Sequence, residues 1–75
     1  MRSDKVLDAT GLSCPMPVVR AKKAIDTLST GQILEVHASD KGAVKDIPSW
    51  AKASGHELIE QKEENGCYKF WIKKG

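Results

Sequence analysis

The sequence lacks long hydrophobic runs, and among its 75 residues it has only two cysteines, three prolines and few aromatic side chains. No segment is long and apolar enough for a signal peptide or a membrane span, so we expect a cytoplasmic protein without direct membrane contact. Two cysteines are too few for a disulfide scaffold, and in a reducing compartment at least one is better explained as a reactive thiol. The absences therefore argue against a secreted disulfide-rich domain and an integral membrane protein.

The charge balance also lacks a strong excess of either sign. Twelve basic and ten acidic residues give a net charge of +2. This mild excess suits docking on an acidic protein surface, but it falls short of what a nucleic-acid-binding domain usually carries. The basic residues cluster at Arg20, Lys22 and Lys23, although a solvated helix face is the commoner explanation of such a cluster.

Hydrophobic periodicity predicts one domain over residues 1–75 with the element order βαβαββ. Asn65-Gly66 is a strong hairpin signal between the last two strands. Right-handed crossovers would place both helices on one face of a mixed four-stranded sheet, with the last strand antiparallel to the others and the other face open to water. The expected fold is a monomeric two-layer α/β sandwich. The predicted elements are strand 5–8, helix 15–28, strand 32–39, helix 46–54, and strands 57–63 and 68–73.

The chemistry centres on Cys14, which the pattern places at the N-cap of the first helix. Pro15 and Pro17 would occupy the first and third helical positions, where a missing N–H does no harm. Pro15 should hold Cys14 extended and leave the Met16 N–H as a donor aimed towards the sulfur. The positive helix N-terminus should lower the pKa of this thiol below its usual value of about 8.5 and stabilise a persulfide anion. Ordinary helix capping by a small residue is the plainer alternative.

Three stretches of the sequence resemble the TusA family, whose members are also called SirA-like proteins: residues 8–17 (DATGLSCPMP), 46–51 (DIPSWA) and 54–58 (SGHEL). The resemblance covers nearly the whole chain and implies sheet order 1-2-4-3, similar to the C-terminal domain of bacterial translation initiation factor three. Two departures are Lys41, where members often have proline, and Cys67, which lies outside the signature.

The resemblance further implies that Cys14 carries persulfide sulfur, with Pro15 and Pro17 as its scaffold. The donor would be a cysteine desulfurase or a rhodanese-type protein, and the acceptor another protein of a sulfur relay that leads to transfer RNA thiolation or cofactor sulfuration. Such a protein is a covalent carrier rather than a stand-alone enzyme, and we expect neither a cofactor nor a metal.

Two other functions stay open. A thiol-disulfide redox protein could use Cys14 and Cys67, but one intervening strand would separate their strands by more than the roughly 7 Å that a disulfide tolerates. An RNA-binding module is suggested by fold analogy alone and ranks last, because Lys and Glu interleave in residues 60–64. His37 and His56 are expected to be surface histidines, and Trp71 to be partly buried on the outward face of the last strand.

Overall fold

A computed structural model describes residues 3–13 and 16–75. The described residues form one four-stranded sheet, in the order β1-β2-β4-β3, and two helices. No helix in this part of the chain is long and apolar enough to cross a membrane. The elements in chain order are β1 (Lys5–Ala9), α1 (Met16–Asp26), β2 (Ile33–Ala38), α2 (Ala43–Ala53), β3 (Glu57–Glu64) and β4 (Cys67–Lys73).

The sheet is mixed, as predicted, because β1 runs parallel to β2 while β4 is antiparallel to both β2 and β3. One face of the sheet packs against both helices and forms a single hydrophobic core. From the strands this core takes Leu34, Val36, Phe70 and Ile72, all fully buried. The two-layer α/β sandwich is therefore confirmed. The helices contribute Ala21, Ala24 and Ile25 from α1 and Ala43, Ile47 and Ala51 from α2.

One edge of the sheet brings together the ends of β1 and β2 and the start of β4. Ala9, at the end of β1, pairs with Ala38, which pairs in turn with Tyr68 near the start of β4. Both helices begin just beyond this edge, since each follows a strand that ends there. We call it the motif edge because residues 10–13, which precede the Cys14 motif in the sequence, leave β1 at this point.

Helix α2 begins earlier than the sequence pattern indicated, at Ala43 rather than residue 46. Asp40 is the reason: its carbonyl accepts the Ala43 N–H at 3.0 Å, and its carboxylate Oδ1 accepts the Gly42 N–H at 3.3 Å. The buried positions of this helix are Ala43, Ile47 and Ala51, whereas Val44 is half-buried and Ser54, just after the helix, is exposed. Pro48 consequently lies inside the helix and not near its first turn.

Helix α1 ends at Asp26, two residues before the predicted end. The Thr27 and Leu28 N–H groups bond to carbonyls three residues back, those of Ala24 and Ile25, at 3.2 and 3.0 Å. The Thr27 hydroxyl also donates to the Ala24 carbonyl at 2.6 Å. A β-branched residue that satisfies an earlier carbonyl through its side chain favours termination of the helix.

The hairpin between β3 and β4 turns at Asn65-Gly66, as predicted. Both residues have positive φ, 50° and 80°, which is the geometry of a two-residue type I′ turn. A β-bulge between Leu58 and Glu60 was not predicted; it shifts the register of β3 against β4. The bulge leaves Ile59 as an exposed hydrophobic side chain on an edge strand.

Candidate functional site at the motif edge

The loop that leads from β1 towards Cys14 is first fixed by Asp8. Its carboxylate Oδ1 accepts the Thr10 hydroxyl at 2.5 Å and the Thr10 N–H at 3.0 Å, closing a local turn. The hydrogen bond from the Thr10 hydroxyl is the main cause that lowers the pKa of Asp8, and the Thr10 N–H and the nearby His37 act in the same direction. Ionised Asp8 therefore holds the first residues of the loop in place.

Gly11 provides the second anchor of this loop. It has φ +82°, a left-handed conformation that glycine adopts without strain, and its N–H donates to Ser39 Oγ at 2.8 Å. Ser39 lies between β2 and α2, so this hydrogen bond ties together the two loops that precede the helices. Leu12 then donates its N–H to the Ala9 carbonyl at 3.3 Å and packs its side chain against the core.

Cys14 and Pro15 lie outside the described residues, so their predicted helix positions stay predictions. The residues that flank them are described. The Met16 N–H donates to the Ser13 carbonyl at 2.8 Å, which corrects the expectation that this N–H is aimed at the sulfur. Pro17 is in the first turn of α1 and is fully buried, so it fixes the start of the helix by packing as well as by its restricted backbone.

The start of α1 is electrostatically favourable for an anion. A helix N-terminus carries about half a unit of positive charge, and α1 has no acidic residue in its first turn that would offset this field. Farther along the helix, Arg20, Lys22 and Lys23 are exposed. An anionic sulfur near this end would thus meet only favourable charge from α1 within its first two turns.

A groove of about 510 Å³ lies at the same edge, beside the start of α2. Its wall includes Lys41, the position at which the chain departs from the family pattern, together with Val44 and Tyr68. Lys45 adds a second positive charge, and Asp46 and Glu63 add negative charge. The charge of the groove is mixed, unlike that of the exposed face of α1.

Cys67 opens β4, one residue before the predicted start of this strand, and it is half-buried with a free thiol. It pairs across the hairpin with Glu64, whose carboxylate lies 3.7 Å from the Lys69 ammonium group. Cys67 therefore lies at a strand start with no helix terminus of its own. Its spatial relation to Cys14 is outside what the structure describes, and the redox pairing stays a prediction.

The outward face of the sheet carries a polar cluster that the sequence pattern did not predict. Glu35 makes an ion pair with His37, and its Oε1 accepts hydrogen bonds from the Ser3 hydroxyl and the Trp71 indole N–H, each at 3.1 Å. The bond with His37 is the largest cause that lowers the pKa of Glu35; Ser3 and Trp71 add to it, and partial burial opposes it.

This cluster corrects two expectations about the outward face. Trp71 is only 7% exposed, and the ammonium group of Lys62 lies 5.9 Å from its ring centroid, so the face is less open than predicted. His37 is a partner of Glu35 and not a free surface side chain. The available signal was the spacing of Glu35 and His37 on the face to which Trp71 also points.

His56 makes contacts that explain it as a structural residue. His56 accepts the Gly75 N–H at its Nδ1 atom, at 3.1 Å, and its ring centroid lies 5.5 Å from that of Trp50. Within residues 3–13 and 16–75, no group of three or more His, Cys, Asp or Glu side chains is arranged to hold a metal ion.

Comparison with known proteins gives consistent matches. The family model described as "Sulfurtransferase TusA" matches residues 5–74. The chain is 63% identical to YrkI of Bacillus subtilis, over all 75 residues and the whole of that protein. It is 54% identical to the sulfur carrier protein TusA of Allochromatium vinosum, over 95% of this chain and 93% of that one. The crystal structure of a SirA-like protein from Desulfitobacterium hafniense superposes with a TM-score of 0.83 at 30% identity, covering 95% and 97% of the two chains.

Proposed function

Because the chain belongs to the TusA family of sulfur carriers, we propose that it carries its sulfur as a persulfide on Cys14. The observation that supports this most is the start of α1. Two separate anchors, at Asp8 and Gly11, hold the loop before Cys14, and buried Pro17 holds the helix after it. A reactive group held between fixed elements is presented to a partner with little loss of conformational entropy.

Sulfur transfer to Cys14 balances without an external oxidant or reductant. The Cys14 thiolate attacks the outer sulfur of a donor persulfide, R–S–SH, and forms a new S–S bond. The donor S–S bond breaks, R–S⁻ leaves, and the outer sulfur keeps its hydrogen as part of Cys14–S–SH. Delivery to an acceptor is the same exchange, with the acceptor thiolate as nucleophile and Cys14 as the leaving thiolate.

The field at the start of α1 assists both steps. It favours the thiolate that receives sulfur, and it favours the persulfide anion and the thiolate that leaves on delivery. The absence of an acidic residue from the first turn of α1 preserves this field. Cys67 lacks the same support because it begins a strand.

The partners follow from this exchange. The donor is a protein persulfide, of the cysteine desulfurase or rhodanese type, and the acceptor is another sulfur-relay protein with a reactive thiol. The destination would be transfer RNA thiolation or cofactor sulfuration in the cytoplasm. The chain itself performs no separate reaction, and its part is to hold one sulfur atom between two encounters.

Incubation with a cysteine desulfurase, pyridoxal phosphate and cysteine tests the assignment. The intact mass should rise by one sulfur atom, and peptide mapping should place that atom on Cys14. Cys14→Ser should abolish the gain, whereas the matched variant Cys67→Ser should retain it. A rhodanese with thiosulfate serves as the second donor.

Two results would contradict the proposal in different ways. Label that requires both cysteines, or that reaches Cys67 first, would replace the single carrier by a mechanism with a resolving cysteine. Absence of label with both donors, in protein with an intact circular dichroism spectrum, would overturn persulfide carriage on Cys14.

A further inference from the structure

The exposed face of α1 has both apolar and basic character immediately after Cys14. We infer that this face is the docking surface for an acidic protein partner with an apolar contact patch; the inference rests on the proposed function. We define the docking stripe as Met16, Val19, Arg20 and Lys23. These positions follow the i, i+3, i+4, i+7 spacing that places side chains on one side of a helix.

The docking stripe also carries two apolar side chains that water reaches. Met16 and Val19 are each 38% exposed. They lie within the first turns of the helix, and Met16 is two residues from Cys14 in sequence. A protein that brings its own thiol to Cys14 would therefore cover this patch and remove apolar surface from water.

The basic part of the docking stripe supplies the charge that selects the partner. Arg20 and Lys23 are exposed, and the ion pairs on the sheet involve neither of them. Lys22 adds to the positive charge beside the stripe, and Asp26, at the far end of α1, is its one acidic residue. From Met16 to Lys23 the stripe is about 10 Å long, which suits a small transient contact.

Other occupants fit the docking stripe less well. A second copy of the chain would bring Arg20 and Lys23 against their own counterparts, and like charges that face each other oppose association. A nucleic acid would match the charge, but the stripe has no aromatic side chain on which a base could stack. An acidic protein surface matches both the positive charge and the exposed apolar atoms.

Charge reversal tests the inference by comparing two sulfur donors. Arg20→Glu combined with Lys23→Glu should slow the loading of Cys14 by a cysteine desulfurase roughly tenfold or more at low salt, because electrostatic steering changes association rates by 10 to 1,000 times. Loading by a small alkyl persulfide, R–S–SH, whose R group carries no charge, should change by less than about threefold, since only the local field at the thiol differs.

A matched control separates docking from net charge. Lys52→Glu combined with Lys73→Glu makes the same charge change at exposed sites away from the motif edge, and Lys52 lies in the last turn of α2 as Lys23 lies in that of α1. This control should keep the wild-type rate with the desulfurase. Val19→Ser should slow that rate at both low and high salt, because the contact that it removes is apolar. Equal slowing in the control and in the stripe variant would overturn the inference.

A binding measurement that needs no sulfur transfer gives an independent answer. The Cys14→Ser protein, labelled with ¹⁵N, would be titrated with a short peptide of Glu, Asp and Leu, and separately with a single-stranded RNA oligonucleotide. The peptide should shift amide signals of residues 16–23 more than those of α2, and added salt or the double charge reversal should suppress these shifts. Shifts of equal size on both helices, or tighter binding of the oligonucleotide, would overturn the inference. If the wild-type protein took no sulfur from any donor, the proposed function would fail, while the titration would still decide whether the stripe binds acidic protein.

Discussion

The two βα units of the fold, β1–α1 and β2–α2, occupy equivalent positions but differ in chemistry. Each strand ends at the motif edge and leads through a loop into an eleven-residue helix. The loop before α1 is anchored by Asp8 and Gly11, and its helix starts with exposed Met16 and buried Pro17. The loop before α2 turns on Asp40, and its helix has Asp46 in the first turn.

The difference shows that a place in the fold does not by itself create a thiol site. Both helices offer a positive N-terminus at the same edge, but Asp46 offsets this field in α2, and Gly42 at its N-cap offers no reactive side chain. In α1 the sequence supplies Cys14 and keeps acidic residues out of the first turn. The proposed sulfur chemistry thus depends on local sequence that only the β1–α1 unit has, and not on the position of that unit in the fold.

The largest expected effect is on stability, and it compares the contributions of the two helices to the shared core. Ile25 on α1 and Ile47 on α2 are both fully buried in the same core. Ile25→Ala and Ile47→Ala should each lower the free energy of unfolding by roughly 2–5 kcal/mol through lost burial and a cavity. Urea denaturation measures this, with Ile→Val at each site as the milder variant. A negligible effect at one site only would mean that the two helices do not share one cooperative core.

Replacing the proline inside α2 should have a smaller effect on the free energy of unfolding, and of opposite sign. Pro48 lies inside α2 and leaves the Val44 carbonyl without its helical donor. Pro48→Ala should therefore raise the free energy of unfolding, by roughly 1–2 kcal/mol after the greater entropy of the unfolded chain is subtracted. Pro17→Ala, at the start of α1, restores no needed donor, so the fold should persist while sulfur transfer slows.

Melting temperatures and loading rates of the two proline variants check this contrast. A Pro48→Ala variant less stable than wild type would show that packing of the ring outweighs the lost hydrogen bond. An unchanged transfer rate in Pro17→Ala would show that the second proline of the motif is not a scaffold for the reaction.

Much of the fold could be predicted because its signals are local in sequence. Alternation in β2 placed Leu34 and Val36 on the core face, and Asn65-Gly66 located the hairpin. The early start of α2 could not be predicted, because a main-chain carbonyl, that of Asp40, accepts the Ala43 N–H, and main-chain groups leave no mark in a hydrophobic pattern. The bulge at Ile59 likewise depends on how two strands pair.

In the candidate site, too, the features that are local in sequence could be predicted and the long-range contacts could not. The motif with Cys14 and Pro17 is contiguous, so the sequence could indicate it. The anchor between Gly11 and Ser39 joins residues 28 apart, and the hydrogen bond from Trp71 to Glu35 joins residues 36 apart. Such contacts exist only once the strands have paired, and they were found only in the structure.

The two βα units each contain a carboxylate, Asp8 in β1 and Glu35 in β2, whose contribution to stability depends on pH. Asp8 and Glu35 both have a folded-state pKa below the ordinary values of 3.8 and 4.5. Each therefore stabilises the fold at pH values above its unfolded pKa, and this contribution is lost as the pH falls below about 4.5 towards the folded pKa. Glu35→Gln should lower stability at neutral pH and flatten the decline below about pH 4.5.

Asp8→Ala provides the contrast, since the carboxylate of Asp8 accepts two hydrogen bonds from Thr10 in the loop before Cys14. It should change the alkylation rate of Cys14 more than it changes stability, whereas Glu35→Gln should leave the alkylation rate nearly unchanged. Denaturation curves at about pH 3 and about pH 7, with alkylation at neutral pH, measure both effects. An alkylation rate that responds to Glu35 and not to Asp8 would reverse the assignment of the two regions.

The smallest expected effect comes from giving α1 an acidic residue near its N-terminus, at the position that Asp46 occupies in α2. This change tests the electrostatic difference between the two helices directly. Val19→Asp places a carboxylate near the N-terminus of α1, and Val19 is partly exposed, so the fold should tolerate the change. The added negative charge should raise the pKa of the Cys14 thiol and slow its alkylation roughly two- to fivefold at neutral pH. Ser49→Asp, on an exposed position of α2, adds the same charge to the other helix and should have little effect. Iodoacetamide is a suitable reagent because it is neutral and small, so neither net charge nor docking of a partner enters the rate.

Both variants are made in a Cys67→Ser background, in which only Cys14 reacts. The full dependence of rate on pH distinguishes a shifted pKa from reduced access, since a shifted pKa moves the midpoint while blocked access lowers the plateau. An unchanged midpoint in Val19→Asp would mean that the field at the start of α1 does not set the reactivity of Cys14.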